Sequence, residues 1–208
     1  MTHASGLPLL AVLMLMAVAA TPCAGVAPMS RITDRLWVGN QHAAGNLTLL
    51  TEIGITGVVN VAWDLDIMYP ASEYVGSLAE DNAHLKLEYA KVGLVDGEGN
   101  ANVTLAAAVF QVAQIMTKRT LETKDAHTYP NPPQRILLHC HSGMSRSVTI
   151  AALYLRYTDP VTYPDFAAAL SYVKAARGIS TDPAPALVAL ATAMSPHDIF
   201  APFGGLPQ

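Results

Sequence analysis

One short stretch of the chain combines a possible nucleophile, a cation and a tight loop. Cys140 follows the apolar run Ile136–Leu138, and Arg146 stands six positions later, where a second apolar run with helical spacing begins. The pattern predicts a strand that ends at the cysteine, then a loop, then a helix that begins near the arginine. Gly143 lets the loop turn without a side chain in the way. The loop amides and the helix N-terminus would then favour a bound anion.

These residue types suit chemistry at phosphorus. The guanidinium of Arg146 can donate hydrogen bonds to two phosphate oxygens at once. The same positive field favours the thiolate form of Cys140 over the thiol. A thiolate held beneath a phosphate-binding loop is placed to attack the phosphorus atom.

Two other interpretations of Cys140 explain less. An ordinary buried thiol would leave Arg146 and the loop without a role. A metal site at His139–His141 is disfavoured because neighbouring residues of a strand point to opposite faces, and no second Cys/His pair has zinc spacing. We therefore expect no metal ion at this position.

The motif also resembles that of a known family. His139-Cys140, five further residues and Arg146-Ser147 resemble the Cys-x5-Arg signature of protein tyrosine phosphatases, and the run Met144–Ser147 is most similar to the dual-specificity branch. A separate stretch, with the runs Leu36–Gly39 and Val58–Val61, resembles the opening of a dual-specificity phosphatase domain. The resemblance covers about residues 31–194.

The resemblance implies a role for each residue of the motif. Cys140 would be the nucleophile, Ser147 the hydroxyl that hydrogen-bonds the leaving thiolate, and His139 a support that carries no proton. The substrate phosphate would be bound by the loop residues His141, Ser142, Gly143, Met144, Ser145 and Arg146. No metal and no organic cofactor is implied.

The family also uses an aspartate soon after a strand as its general acid. Asp96 fits that position, in a loop with three glycines, and a carboxyl group there can protonate the departing oxygen. The spacing from Asp96 to Asn102 is slightly longer than the family pattern, so Glu98 stays an alternative acid.

Strands that alternate with helices predict an α/β fold with a mostly parallel central sheet and helices on both faces. We expect one phosphatase-type domain at 31–194, followed by a flexible tail at 195–208. Predicted helices cover 43–53, a weak stretch at 70–82, 105–116 with Asn102 as N-cap, about 163–177 ended by Gly178, and 183–194. Residues 117–135 read as an exposed loop, and Trp63 and Tyr69 as packing residues.

The N-terminal residues differ in character from the rest of the chain. Residues 1–28 contain no Asp, Glu, Lys or Arg, and Leu9–Ala20 is an unbroken apolar run. This resembles a secretory signal with a cleavage site near Ala17–Ala19, although the positive n-region is missing. The run is short for a membrane span. We expect a leader and a secretory-pathway location, the alternative being a cytoplasmic protein that starts at Met29.

The composition narrows the class of partner. A net charge of −4 leaves no basic surface for nucleic acid. We expect a monomer that acts on phosphorylated proteins, hydrolysing phosphotyrosine and phosphoserine/threonine through a cysteinyl-phosphate. The alternatives are a phosphoinositide or other non-protein phosphatase, which the absence of lysine between Cys140 and Arg146 disfavours, and a phosphate-binding module without turnover.

Overall fold

The computed structural model describes residues 26–75, 84–85, 87–117 and 134–200. Within them, the strands are β1 (Met29–Arg31), β2 (Leu36–Gly39), β3 (Gly57–Ala62), β4 (Tyr74–Val75), β5 (His84–Leu85), β6 (Glu88–Leu94) and β7 (Ile136–His139). Five of them form one sheet in the order β1-β2-β7-β3-β6, and β4 pairs with β5 separately. The pairs β2–β7, β7–β3 and β3–β6 are parallel, and β1 is antiparallel to β2. The expected α/β fold with a mostly parallel sheet is confirmed.

The helices of the described residues lie on both faces of this sheet. They are α1 (Gln41–Ala44), α2 (Leu47–Ile53), α3 (Asn102–Thr117), α4 (Arg146–Thr158), α5 (Phe166–Arg177), α6 (Pro185–Ala193) and α7 (Pro196–Phe200). Alternate strand residues point to opposite faces. Val59 and Leu138 therefore belong to a core shared with α3–α7, whereas Val58 and Leu137 pack in a second core with α1 and α2. The central strands are buried on both faces, as parallel strands usually are.

The helix predicted over 43–53 is two helices. Asn46 accepts a hydrogen bond of 3.1 Å from the backbone N–H of Leu49, which caps a new helix start and separates α1 from α2. The predicted stop at Gly54 is confirmed, since this glycine has a φ of 75° and its N–H caps the helix C-terminus. The predicted stop at Gly178 is confirmed in the same way, with a φ of 68°.

Two other sequence-based expectations are wrong in detail. The weak helix at 70–82 is instead a 3₁₀ turn at Ala71–Glu73 followed by β4, and residues 76–83 lie outside the described part. Asn102 is the first residue of α3 rather than its N-cap. The neighbouring Asn100 organises the preceding loop, because its side chain bonds both backbone groups of Val95 and the carbonyl of Gly97.

The expected flexible tail at 195–208 contains a helix. Asp198 accepts a hydrogen bond of 2.7 Å from the backbone N–H of Ser195 and one of 2.8 Å from its hydroxyl, which starts α7 with a local cap. Ile199 is fully buried in the core beneath α3. Burial of this side chain therefore extends the domain beyond residue 194. Residues 201–208, and 118–133 of the predicted exposed loop, lie outside the described residues.

The last two residues of the predicted leader, Ala27 and Pro28, make hydrogen bonds with the rest of the domain. Residues 1–25 are outside the described part, but the carbonyl of Pro28 accepts a hydrogen bond of 2.9 Å from Asn40 N–H, and that of Ala27 accepts one of 2.9 Å from Arg177. Pro28 and Ala27 are thus part of the domain. Among the described helices, none has the length and apolar character that crossing a membrane requires.

Candidate active site

Cys140 lies where β7 ends, at the floor of the loop that leads into α4. Its side chain is on the same face as Leu138 and is only 1% exposed. The Sγ lies 3.3 Å from Ser147 Oγ, on the first turn of the helix. A thiolate can only accept a hydrogen bond, so the Ser147 hydroxyl is positioned to donate to it.

His139 lies on the opposite face of the strand and is fully buried. Its Nδ1 is 3.3 Å from the carbonyl oxygen of Cys140. A carbonyl only accepts, so the ring proton belongs on Nδ1. Nε2 has no hydrogen-bond partner among the described residues. Burial lowers the pKa of His139 to about 4, which leaves a neutral ring that supports the strand end.

Two carbonyls of the loop between Cys140 and Arg146 accept hydrogen bonds from residues outside the loop. The His141 carbonyl accepts a hydrogen bond of 3.0 Å from Gln41 N–H, and the Gly143 carbonyl accepts one of 3.1 Å from Arg177 Nε. Gly143 has a φ of 70°, and a Cβ there would lie 2.5 Å from the carbonyl oxygen of Gly39, so only glycine fits. In a trans peptide the N–H is directed opposite to the preceding C=O, so the N–H groups of Ser142 and Met144 are directed away from Gln41 and Arg177.

Arg146 begins α4 and is 3% exposed. Its Nη1 donates to Asp64 Oδ1 at 2.7 Å and to the carbonyl of Leu94 at 3.2 Å. Its Nε has no hydrogen-bond partner among the described residues, and Asp96 Oδ2 lies 3.8 Å away. Asp64 and Leu94 thus hold the guanidinium through Nη1, and its Nε–H can still donate a hydrogen bond to an anion bound over the loop.

Asp96 reaches the loop from the segment after β6. Its Oδ1 accepts a hydrogen bond of 2.5 Å from Ser145 Oγ, and its carboxylate is 43% exposed. Ser145 is fixed in turn, because its Oγ accepts a bond of 3.1 Å from Ala184 N–H. The structure thus brings Asp96 beside Arg146 and next to open solvent, where a general acid can meet a leaving group. Glu98, two residues along, is exposed.

Asp64, which the sequence analysis did not single out, is the direct partner of Arg146. Its Oδ2 also lies 3.3 Å from His141 Nε2. The hydrogen bond from Arg146 lowers the pKa of Asp64 below its ordinary value. Asp64 is therefore an ionised group that orients the guanidinium, unsuited to donate a proton. Its place in the loop after β3, at the carboxyl end of a parallel strand, was the available sequence signal.

The two aromatic residues in the loop after β3, Trp63 and Tyr69, differ in burial. Tyr69 packs as predicted, being 8% exposed with its hydroxyl donating to the Ala44 carbonyl at 3.1 Å. Trp63 does not, because its side chain is 61% exposed, next to Asp64. Its backbone crosses Gly93 so closely that a Cβ on that glycine would lie 2.7 Å from Trp63 Cα. An exposed indole therefore stands one residue from the partner of Arg146.

Solved phosphatase structures share this fold. The phosphatase domain of Yvh1 from Chaetomium thermophilum aligns with a TM-score of 0.58 at 21% identity, covering 79% of this chain and 93% of that one. Human DUSP28 aligns with a TM-score of 0.55 at 19% identity, covering 79% and 90%. This chain combines that fold with a Cys-x5-Arg motif that resembles the signature of protein tyrosine phosphatases.

Curated relatives narrow the class. A probable rhodanese domain-containing dual specificity protein phosphatase of Dictyostelium discoideum is 31% identical over 139 residues, which is 66% of this chain and 23% of the relative. Dual specificity protein phosphatase 13B of Mus musculus is 30% identical over 152 residues, which is 73% of this chain and 65% of the relative. The chain thus spans less than two thirds of the length of these relatives, and no family model matches it. These relatives support the assignment of the chain to the dual-specificity phosphatase family, and its fold agrees with that assignment.

Proposed function

We propose that the protein hydrolyses phosphate monoesters on proteins, acting on phosphotyrosine and on phosphoserine/threonine. The observation that carries the proposal is the placement of Cys140 Sγ beside Ser147 at the start of a loop that ends in the buried Arg146. Two carbonyls of this loop are hydrogen-bonded to residues outside it. The family relatives support the same activity.

The first chemical step is transfer of the phosphoryl group to sulfur. The Cys140 thiolate attacks phosphorus, forming the P–S bond as the P–O bond to the substrate breaks. Arg146 and the loop amides stabilise the charge on the three non-bridging oxygens. Asp96 gives its proton to the departing oxygen, so that the alcohol or phenol leaves neutral.

The second step releases phosphate. Water attacks the cysteinyl-phosphate and passes a proton to Asp96, the P–O bond forms and the P–S bond breaks. The electron pair of that bond returns to Cys140, whose thiolate accepts a hydrogen bond from the Ser147 hydroxyl. The enzyme is restored with Asp96 protonated for the next cycle.

The loop composition supports protein substrates over phosphoinositides. Residues 141–145 include no lysine that would meet additional phosphates, and the one titratable side chain among them, His141, lies 3.3 Å from the carboxylate of Asp64. The exposed Trp63 beside Asp64 offers an aromatic surface for residues that flank a phosphorylated side chain.

A substrate panel tests the proposed function. Purified protein is assayed for phosphate release from phosphotyrosine peptides, phosphoserine/threonine peptides, phosphoinositides and phosphosugars. Protein with Cys140→Ser, prepared in parallel, is the control for contaminating phosphatases. We expect the phosphopeptides to be hydrolysed fastest. A clear preference for a phosphoinositide would favour the non-protein alternative, and phosphate binding without release from any substrate would favour a binding module.

We also propose that the chain enters the secretory pathway and is cleaved after Ala19. The charge-free apolar run at 9–20 supports this proposal. A mature chain cut there retains Ala27 and Pro28, whose carbonyls bond Arg177 and Asn40. Mass spectrometry of the natural protein distinguishes the possibilities, because a terminus near Ala20 indicates export and one at Met29 or Ser30 indicates the cytoplasmic alternative.

A further inference from the structure

Arg177, the last residue of α5, has a buried guanidinium that the proposed chemistry does not use. Its side chain is 2% exposed. It donates to the carbonyl of Gly143 at 3.1 Å through Nε, and through Nη1 to the carbonyl of Ala27 at 2.9 Å and the hydroxyl of Ser30 at 3.0 Å. All three hydrogen-bond partners are neutral.

A buried cation with neutral partners is costly to maintain, because desolvation of its charge is not offset by an anion. Nη2 of Arg177 is buried and has no hydrogen-bond partner among the described residues. Burial lowers the pKa of this guanidinium, and the negative charge of a Cys140 thiolate nearby acts in the opposite direction. That thiolate, and a phosphate bound over it, would therefore offset part of the charge of Arg177.

The contact with Gly143 also determines where an amide points. In a trans peptide the N–H of one residue is directed opposite to the C=O of the residue before it. Because the Gly143 carbonyl is directed at Arg177, the N–H of Met144 is directed to the opposite side of the loop. The left-handed backbone of Gly143, with a φ of 70°, lets the chain take this orientation.

We propose that Arg177 is a positioning residue of the phosphate loop: it orients the Gly143–Met144 peptide so that the amide faces bound phosphate, and it adds a second buried positive charge to the site beside that of Arg146. The inference rests on the proposed phosphatase function and adds to it a residue outside the Cys-x5-Arg signature. Ala27 and Ser30 also bind the Arg177 guanidinium, so β1 and the segment before it support the loop through this side chain.

The test compares Arg177→Met and Arg177→Lys with Lys174→Met. Lys174 is a control on the same helix, since it carries the same charge but pairs with the exposed Asp182. For each variant kcat and KM are measured with p-nitrophenyl phosphate, and the inhibition constant of inorganic phosphate with the same assay. Thermal unfolding shows which variants are folded.

We expect Arg177→Met to lower kcat/KM and to weaken phosphate inhibition by roughly 10-fold to 100-fold, since a displaced amide and a lost charge both reduce binding of the phosphoryl oxygens. Arg177→Lys keeps the charge but not the fork of donors, so phosphate inhibition should lie between that of the wild type and of Arg177→Met. Lys174→Met should behave as the wild type. A purely structural role would lower the unfolding temperature and leave the phosphate inhibition constant unchanged.

Folded Arg177→Met protein with the kinetic constants of Lys174→Met would overturn the inference. If Arg177→Met does not fold, Arg177→Lys provides the test. An inhibition constant of inorganic phosphate equal to that of the wild type in Arg177→Lys would also overturn the inference. A wild-type protein that hydrolyses none of the substrates would refute the proposed function instead. Calorimetric binding of inorganic phosphate to the wild type and the variants would then test the role of Arg177 separately.

Discussion

Asp64 Oδ1 accepts a hydrogen bond of 2.7 Å from Nη1 of Arg146, so a carboxylate of the β3 loop orients the cation at the end of the phosphate loop. The arginine is 3% exposed, whereas the side chain of Asp64 is 45% exposed. The pair therefore lies between the buried interior and solvent, with the charge of Asp64 close to the proposed phosphate site.

We expect Asp64→Asn and Asp64→Ala to have different effects. Asparagine keeps an acceptor for Arg146 but removes a negative charge, so inorganic phosphate should inhibit roughly threefold to tenfold more tightly. Alanine removes the acceptor, leaves the guanidinium free to move, and should lower kcat/KM by about 10-fold. Steady-state kinetics give kcat/KM for both variants, and the same assay with added inorganic phosphate gives the inhibition constants. Equal phosphate inhibition in Asp64→Asn and the wild type would contradict the electrostatic part of this prediction.

Cys140→Ser should abolish turnover and keep phosphate binding, because the loop amides and Arg146 remain in place. Arg146→Lys should weaken both, since an ammonium group cannot donate as a planar fork. Calorimetric titration with inorganic phosphate and a single-turnover assay with an aryl phosphate separate the two properties. Appreciable aryl phosphate hydrolysis by Cys140→Ser would disprove a covalent mechanism.

Asp96→Ala should slow hydrolysis of phosphopeptides by roughly 100-fold or more, because a general acid contributes about 10²–10⁴ to such steps. The effect on p-nitrophenyl phosphate should be smaller, since a good leaving group needs less protonation. Glu98→Ala is the matched control in the same loop and should leave both rates near those of the wild type. The assignment moves to Glu98 if the two variants show the opposite pattern.

His139 should make the fold sensitive to acid. Its pKa is about 4 in the folded protein, below the ordinary value of 6.5, because burial disfavours the charged ring. The unfolded chain therefore binds a proton first as pH falls, and stability present above pH 6.5 is lost progressively down to about pH 4, by about 3 kcal/mol. Urea unfolding of the wild type and His139→Asn at pH 7, 5.5 and 4.5 measures this. The asparagine variant should lose less stability across the series, and parallel losses would rule out the assigned cause.

A chain that begins at Met29 should be less stable than one that begins at Val26. It lacks the carbonyls of Ala27 and Pro28, which accept from Arg177 and from Asn40 N–H. Unpaired buried donors cost about 1–3 kcal/mol each. Urea unfolding of the two chains measures the difference. Ala27→Gly in the longer chain is the control, since it keeps the backbone carbonyl and should change stability by less. Identical stability of the two chains would show that these contacts contribute nothing.

The sequence by itself determined the strand, loop and helix around Cys140, because all of their signals are local. An apolar run at β7, a glycine at the turn and helical spacing after Arg146 predict the unit, and Gly54 and Gly178 predict the helix ends, since only short-range backbone geometry is involved. Local signals failed where the secondary structure depends on a side-chain cap or on a contact with a residue distant in sequence. Asn46 divides the predicted 43–53 helix, and burial of Ile199 against α3 orders the start of the expected tail.

Only the tertiary structure placed Asp64 and Arg177 at the site. Asp64 stands 82 residues before its partner Arg146, and Arg177 stands 34 residues after Gly143. Nothing in the residues around them distinguishes this aspartate from Asp66, or this arginine from Lys174, because their difference is one of burial and partner. Parallel pairing of β3 and β7 brings the Asp64 loop to the end of the sheet where Cys140 lies, and the packing of α5 on α4 brings Arg177 under the loop. Contacts between segments so far apart follow from how the sheet and helices pack, which the spacing of residues along one chain does not specify.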